Sequence, residues 1–197
     1  MTCKLCRREG VSLCGREKCA VKKRPFPPGV HGPTAHRRPT GYGIQLREKQ
    51  KAKRLYGVNE RQFRRYFDDA SRKRGDTGEF LVRTLELRLD NVLFRLGFAK
   101  TRSQARQFVG HGHVTVNDKK VDIPSYPVRP GQRIGLCDRS KLLPAFVNMR
   151  DALEKHRAPS WLTLDASTLS GTVLTHPADE ELQQIFDPKL IVEFYSR

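Results

Sequence analysis

Residues 101–123 read TRSQARQFVGHGHVTVNDKKVDI, and the hydrophobic period changes inside them. Thr101 to Gln104 has the T-x-x-Q form of a capping box, in which a hydroxyl and an amide satisfy the donors that open a helix, so a short helix is predicted to Gly110. From His113 the period is two. His113–Asn117 and Lys120–Ile123 read as a tight hairpin turning at Asn117 and Asp118, and Arg133–Cys137, after VRPG (128–131), reads as a third strand.

Upstream, EFLVRTLELRLDNVLFRL (79–96) repeats Leu81, Leu85, Leu89, Val92, Leu93 and Leu96 at helical spacing, as one helix or two in succession. Asn59 is a good N-cap for a helix whose buried stripe would be Phe63, Tyr66, Phe67 and Ala70, and Ile44–Gly57 reads as a helix before it. Downstream, residues 141–157 read as a helix, TLSGTVLTH (168–176) and LIVEFYS (190–196) as strands, and PADEELQQIF (177–186) as a short acidic helix.

The 197 residues are 37% hydrophobic and carry 38 Lys and Arg against 21 Asp and Glu, a formal charge of +17. Residues 1–75 hold 21 basic and 6 acidic side chains, so most of the excess is in that segment. A field of one sign over a third of a chain calls for a polyanion, and nucleic acid fits better than an anionic membrane. The sequence contains no run of eighteen apolar residues and no apolar segment of signal-peptide type, so no membrane partner and a cytoplasmic location are expected. No GxxxxGK[ST], G-x-S-x-G or HExxH occurs, and no enzyme or small-molecule substrate is expected.

Four of the five cysteines, Cys3, Cys6, Cys14 and Cys19, sit within seventeen residues with the spacing C-x2-C-x7-C-x4-C. In a reducing compartment that spacing favours metal over disulfides. Four thiolates fill a tetrahedral site and leave no position for substrate, so one structural Zn2+ is the leading reading; an iron–sulfur cluster or free thiols are the alternatives. Cys137 stands alone in an apolar strand and reads as a small buried side chain.

Residues 20–43 contain five prolines and four glycines and should form an extended arm. Basic groups alternate with rings there, as an irregular RNA surface requires. The candidate RNA contacts begin with Arg7, Arg8, Lys22, Lys23, Arg24, Arg37, Arg38 and Tyr42. Arg47, Lys49, Lys53 and Arg54 follow on the first long helix, and Arg61, Arg64 and Arg65 on the second. Arg88, Arg95, Lys100, Arg102, Arg106, His111 and His113 complete the set around the helix pair and hairpin.

RLDNVLFRLGFAKTRSQARQFVGHGHVTVNDKKVDIPSYPVRPGQRI (88–134) resembles the RNA-binding module named after ribosomal protein S-four. LREKQKAKRLYGVNERQFRRYF (46–67), RRPTGYGIQLREKQ, the final IVEFYSR and the cysteines are similar to the bacterial members of that family in its four-cysteine form. The resemblance implies an α+β fold: a metal-bearing extended N-terminal arm (1–45), a small all-helical domain (46–86 with 180–197), and the module of two helices and a small antiparallel sheet with appended strands (87–179) inserted in it. It implies a primary binder of the 5′ domain of small-subunit rRNA that nucleates assembly of the subunit body. Further implied partners are ribosomal protein S-five, other small-subunit proteins, and mRNA near the entry channel, with a part in translational accuracy. The module also occurs in pseudouridine synthases, so an rRNA-modifying enzyme is the alternative.

Overall fold

The computed structural model describes residues 3–34, 38–147, 149–178 and 185–197. The fold is α+β, and the chain divides into two compact units, Met1–Val82 with Gln183–Arg197, and Arg83–Leu182.

In the first unit two short helices, α1 (Cys3–Glu9) and α2 (Ala20–Lys23), precede α3 (Gly41–Leu55), α4 (Glu60–Ser71) and the start of α5 (Thr77–Glu86). The expected extended arm is therefore helical at Cys3–Glu9, at Ala20–Lys23 and from Gly41 onward, whereas residues 25–34 and 38–40 carry neither helix nor strand. Each long helix opens on a side-chain cap. The Thr40 hydroxyl accepts from the Gly43 amide at 3.1 Å and Asn59 from the Gln62 amide at 2.8 Å, satisfying donors that the first turn leaves unpaired. Gly57, at φ +64°, takes the left-handed conformation that ends α3. On α4 the buried stripe is Phe63, Phe67 and Ala70; Tyr66 is only half-buried.

Residues 190–196 form no strand. Residues 190–195 belong to helix α11 (Pro188–Tyr195), which packs on α3, and Ser196 is its C-cap. Asp187 caps it by accepting from the Lys189 amide, and Pro188 supplies a first-turn residue with a preset φ. Ile191 is fully buried, and Tyr195 stacks on Phe67 with ring centroids 4.7 Å apart.

In the second unit α6 (Leu89–Arg95) follows the end of α5 after a break at Leu87 and Arg88, and packs on α7 (Arg102–Gly110). Thr101 caps α7 by accepting from the Gln104 amide at 3.2 Å, and Gln104 Oε1 accepts from the Lys100 amide at 2.9 Å. Strands β1 (Val114–Val116) and β2 (Lys119–Lys120) form the expected hairpin, with Asn117 and Asp118 both at positive φ as a two-residue primed turn requires.

β3 (Arg133–Leu136) pairs with β1, and a second hairpin, β4 (Leu162–Asp165) and β5 (Ser170–Val173), extends the antiparallel sheet to the order β2-β1-β3-β5-β4. β4 escaped the sequence reading. Of the expected helix over 141–157, Pro144–Val147 (α9) and Met149–Glu154 (α10) are helical on either side of residue 148, which lies outside the described residues, and Asp138–Lys141 (α8) precedes them. Most of the expected acidic helix at 177–186 lies outside the described residues. One apolar cluster joins Leu89, Val92, Leu93 and Leu96 of the α6 segment to Ile134, Leu136 and Val173 of the sheet and to Trp161 just before β4.

Glu60, the first residue of α4, fastens α3 and α11 to it. It accepts from Lys49 Nζ at 2.8 Å, Lys53 Nζ at 3.0 Å and the Tyr195 hydroxyl at 2.9 Å. Burial alone would raise its carboxyl, but these hydrogen bonds outweigh burial and bring it down to about 2. A folded-state value below the unfolded one stabilises above the unfolded value, and the contribution is lost as pH falls through the folded one. Because the Glu60 side chain is 45% exposed, water screens part of the effect. Wild type should therefore exceed Glu60→Gln in denaturation midpoint at about pH 6, and the gap should close as pH falls from about 4.5 towards 2. A gap that stayed constant over that range would contradict the assignment.

Candidate nucleic-acid interface and metal centre

The cysteine segment turns back on itself so that Cys3, Cys14 and Cys19 converge, with their Sγ atoms within 4.8 Å of one another. Cys6, the fourth expected ligand, is fully buried and is not part of that converging set. Tetrahedral Zn–S bonds of about 2.3 Å place sulfurs roughly 3.8 Å apart, and the set fits such a centre after a small contraction. Burial pushes the Cys6 thiol up to about 11, whereas hydrogen bonds led by that from Ser12 bring Cys19 down to about 7. One thiol is thus already close to the thiolate that a metal requires. Cys137 is half-buried and donates to the Gly112 carbonyl at 3.4 Å.

Around this site the expected RNA-binding cations divide in two. Arg7 turns inward: Nε and Nη2 donate to the Phe26 and Pro27 carbonyls at 3.0 and 3.1 Å, and the guanidinium lies 4.8 Å from the Phe26 ring centroid. Arg8, Lys22, Lys23, Arg24 and Arg38 are exposed, and Tyr42 is exposed with its ring against Phe194. Arg37 lies outside the described residues.

On α3, Arg47 and Arg54 both donate to Oε1 of Glu9, a residue the sequence reading passed over. Its side chain is 0% exposed. Lys53 pairs with Glu60 and remains half-exposed. Lys49 requires correction: only 6% exposed, it is held by Glu60 and lies 4.2 Å from the Phe194 ring centroid, so it is an internal cation and not an RNA contact. Arg61, Arg64 and Arg65 stand exposed on the outer face of α4, followed by Arg72, Lys73 and Arg74, which belong to the same surface.

The second unit repeats the division. Arg88 also requires correction: at 3% exposed it makes a two-pronged bond with Asp90, Nε to Oδ1 at 3.0 Å and Nη2 to Oδ2 at 2.7 Å. Arg95 makes the same kind of bond to Glu86, at 3.0 and 2.8 Å, so both of these expected RNA contacts turn inward. Glu86 is 2% exposed and also accepts from Asn91 Nδ2 at 2.7 Å. That bond turns Asn91 Oδ1 towards Arg102, whose Nε donates to it at 2.7 Å while the guanidinium lies 4.5 Å from the Phe94 ring centroid.

Lys100, Arg106 and His111 are exposed. His113 is half-buried, with Nδ1 2.9 Å from the Ser140 hydroxyl and its ring against Phe108 and Phe146. The outward set is then an arm and the α4 face in one unit, and the start of α7 with the hairpin rim in the other. These are groups that can neutralise phosphates, with few rings positioned to read bases. No helix among the described residues is long and apolar enough to cross a membrane.

Residues 1–86 match the family model described as the ribosomal protein S4/S9 N-terminal domain, and residues 87–134 match the S4 domain. The chain belongs to the ribosomal protein S4 family. It is 48% identical to the small ribosomal subunit protein uS4 of Natranaerobius thermophilus over 99% of this chain and 96% of the relative. The uS4 protein of Thermus thermophilus matches with the same identity and coverage, and that of Desulfitobacterium hafniense is 49% identical over the same shares. In this S4-family chain the helix pair of the S4 domain is braced internally by Glu86.

Replacing Glu86 with Ala removes the carboxylate that Arg95 and Asn91 share, while the carbonyl of residue 86 still accepts from Asn91, and breaking a buried ion pair in this way costs about 3–5 kcal/mol. Chemical denaturation followed by circular dichroism should show a loss of that size. A loss below about 1 kcal/mol would show that the pair is not buried as described.

Proposed function

We propose that this chain is a structural constituent of the small ribosomal subunit, a primary rRNA-binding protein of the cytoplasmic ribosome and not an enzyme. The observation that carries the reading is the sorting of cations: the scarce carboxylates hold Lys49, Arg88 and Arg95 inside, while Arg8, Lys22, Lys23, Arg24, Arg38, Arg61, Arg64, Arg65, Lys100 and Arg106 remain on the surface. Its relatives carry the name small ribosomal subunit protein, which weighs against the alternative of a modifying enzyme.

In this reading the domains are an arm (1–45), a helical domain (46–86 with 180–197) and the RNA module (87–179), and the RNA bound is the 5′ domain of small-subunit rRNA. Binding there nucleates the subunit body. Contact with ribosomal protein S-five and a part in translational accuracy belong to the same proposal, as does a position of Arg37, Arg38 and the α3 cations near the mRNA entry channel. The four cysteines hold one structural zinc, for which the convergence of Cys3, Cys14 and Cys19 gives support.

Affinity for a 5′-domain rRNA fragment should fall with salt at a log-log slope steeper than about −3, since five or more phosphate contacts each release about 0.7–0.9 counterion. A flat response would overturn the electrostatic reading. Elemental analysis of the purified chain should find one equivalent of zinc, lost on replacing Cys3 and Cys6 with Ser. Iron in its place, or no metal at all, would overturn the zinc assignment.

A further inference from the structure

α1 is seven residues long, too short to persist alone, and Cys6 and Glu9 are its only buried residues. Its position therefore rests on polar attachments. Cys3 places it at the sulfur site, Arg7 ties it to the Phe26 and Pro27 carbonyls, and Glu9 joins it to α3. Arg47 and Arg54 are seven residues apart, on one face of α3, and both donate to the same carboxylate oxygen of Glu9. The two side chains are still 35% and 22% exposed, so each lies at the border between the internal carboxylate and solvent. Glu9 Oε2 is buried with no hydrogen-bond partner, so those two arginines supply the hydrogen bonds that hold the carboxylate.

We propose that Glu9 links the cysteine site to the RNA-binding strength of α3: with the site loaded, Arg47 and Arg54 are held on the internal carboxylate, and without the metal both are released to phosphate. The proposal rests on the zinc and RNA readings above. Ordering by metal is what a cysteine-rich segment with little apolar burial depends on, and a loosened α1 no longer presents Glu9 to α3. The loaded chain then binds RNA through fewer, better positioned charges, and the metal-free chain through more charges and with less selectivity. By linkage, whatever holds Glu9 in place also strengthens metal binding.

Two measurements on the full chain test this. In the first, the salt slope for the 5′-domain fragment is compared with and without zinc. Wild type should steepen by about one to two on zinc removal, as two further cations reach phosphate, while Glu9→Gln should be steep in both states. In the second, zinc affinity is measured by chelator competition with no RNA present, and Glu9→Gln should bind zinc about fivefold or more weakly than wild type. The Arg47→Gln/Arg54→Gln double variant keeps Glu9 and should lose the zinc dependence of the slope, which separates release of the arginines from misfolding around Glu9. A wild-type slope that is unchanged or shallower without zinc, a Glu9→Gln slope that still shifts, or an unchanged zinc affinity would each overturn the linkage. Failure to bind RNA at all would sink the functional reading instead, and the zinc competition would still decide the linkage.

Discussion

Carboxylates are the scarce resource of this molecule, and Glu9, Glu60, Glu86 and Asp90 between them decide where six cations go. With 38 basic and 21 acidic side chains, most cations cannot find an internal partner. Those that do are fixed: Lys49 and Lys53 by Glu60, Arg47 and Arg54 by Glu9, Arg88 by Asp90, and Arg95 by Glu86. Such pairs add little net stability relative to an apolar replacement, because desolvation cancels much of the attraction. Their effect is geometric. A two-pronged arginine–carboxylate bond fixes both side chains, and the helices carrying them are fixed with it.

The two units use this device against different backgrounds. Residues 83–178 own a continuous apolar cluster between two helices and one face of a five-stranded sheet, so Glu86 and Asp90 only refine a core that burial already supplies. In the other unit the cysteine segment buries little beyond Cys6, Leu13 and Cys19, and its attachment to α3 is ionic. There the carboxylate and the sulfur site take over the part that apolar area plays elsewhere. This explains how a segment rich in charge can hold its exposed cations, Arg8 and Lys22 to Arg24, in defined positions.

Local chemistry made much of the fold legible. Asn59 and Thr101 announce their helices because a cap is a contact between neighbours in sequence, and Asn117–Asp118 announces its hairpin because few residue pairs accept positive φ. Residues 190–196 misled because a run of β-branched and aromatic residues favours a strand, and packing against α3 overrode that preference; the cap and proline at 187 and 188 were the overlooked signal. The roles of Lys49 and Arg88 were hidden for another reason. A cation's sequence says nothing of burial, and the partner of Lys49 lies eleven residues away on another helix. Glu9 went unread among its basic neighbours. The cysteine spacing pointed to one site of four thiols, and folding brings three of them, Cys3, Cys14 and Cys19, together.

Carboxylates sort the cations of this chain into those that build the protein and those left on its surface for RNA. Lysine acylation, mapped residue by residue in the chain alone and in its complex with the 5′-domain rRNA fragment, tests that claim directly. The account predicts that Lys49 is unreactive in both states, while Lys22, Lys23 and Lys100 react in the chain alone and are protected in the complex. A reactive Lys49 that RNA then protects, or arm lysines equally reactive in both states, would contradict it.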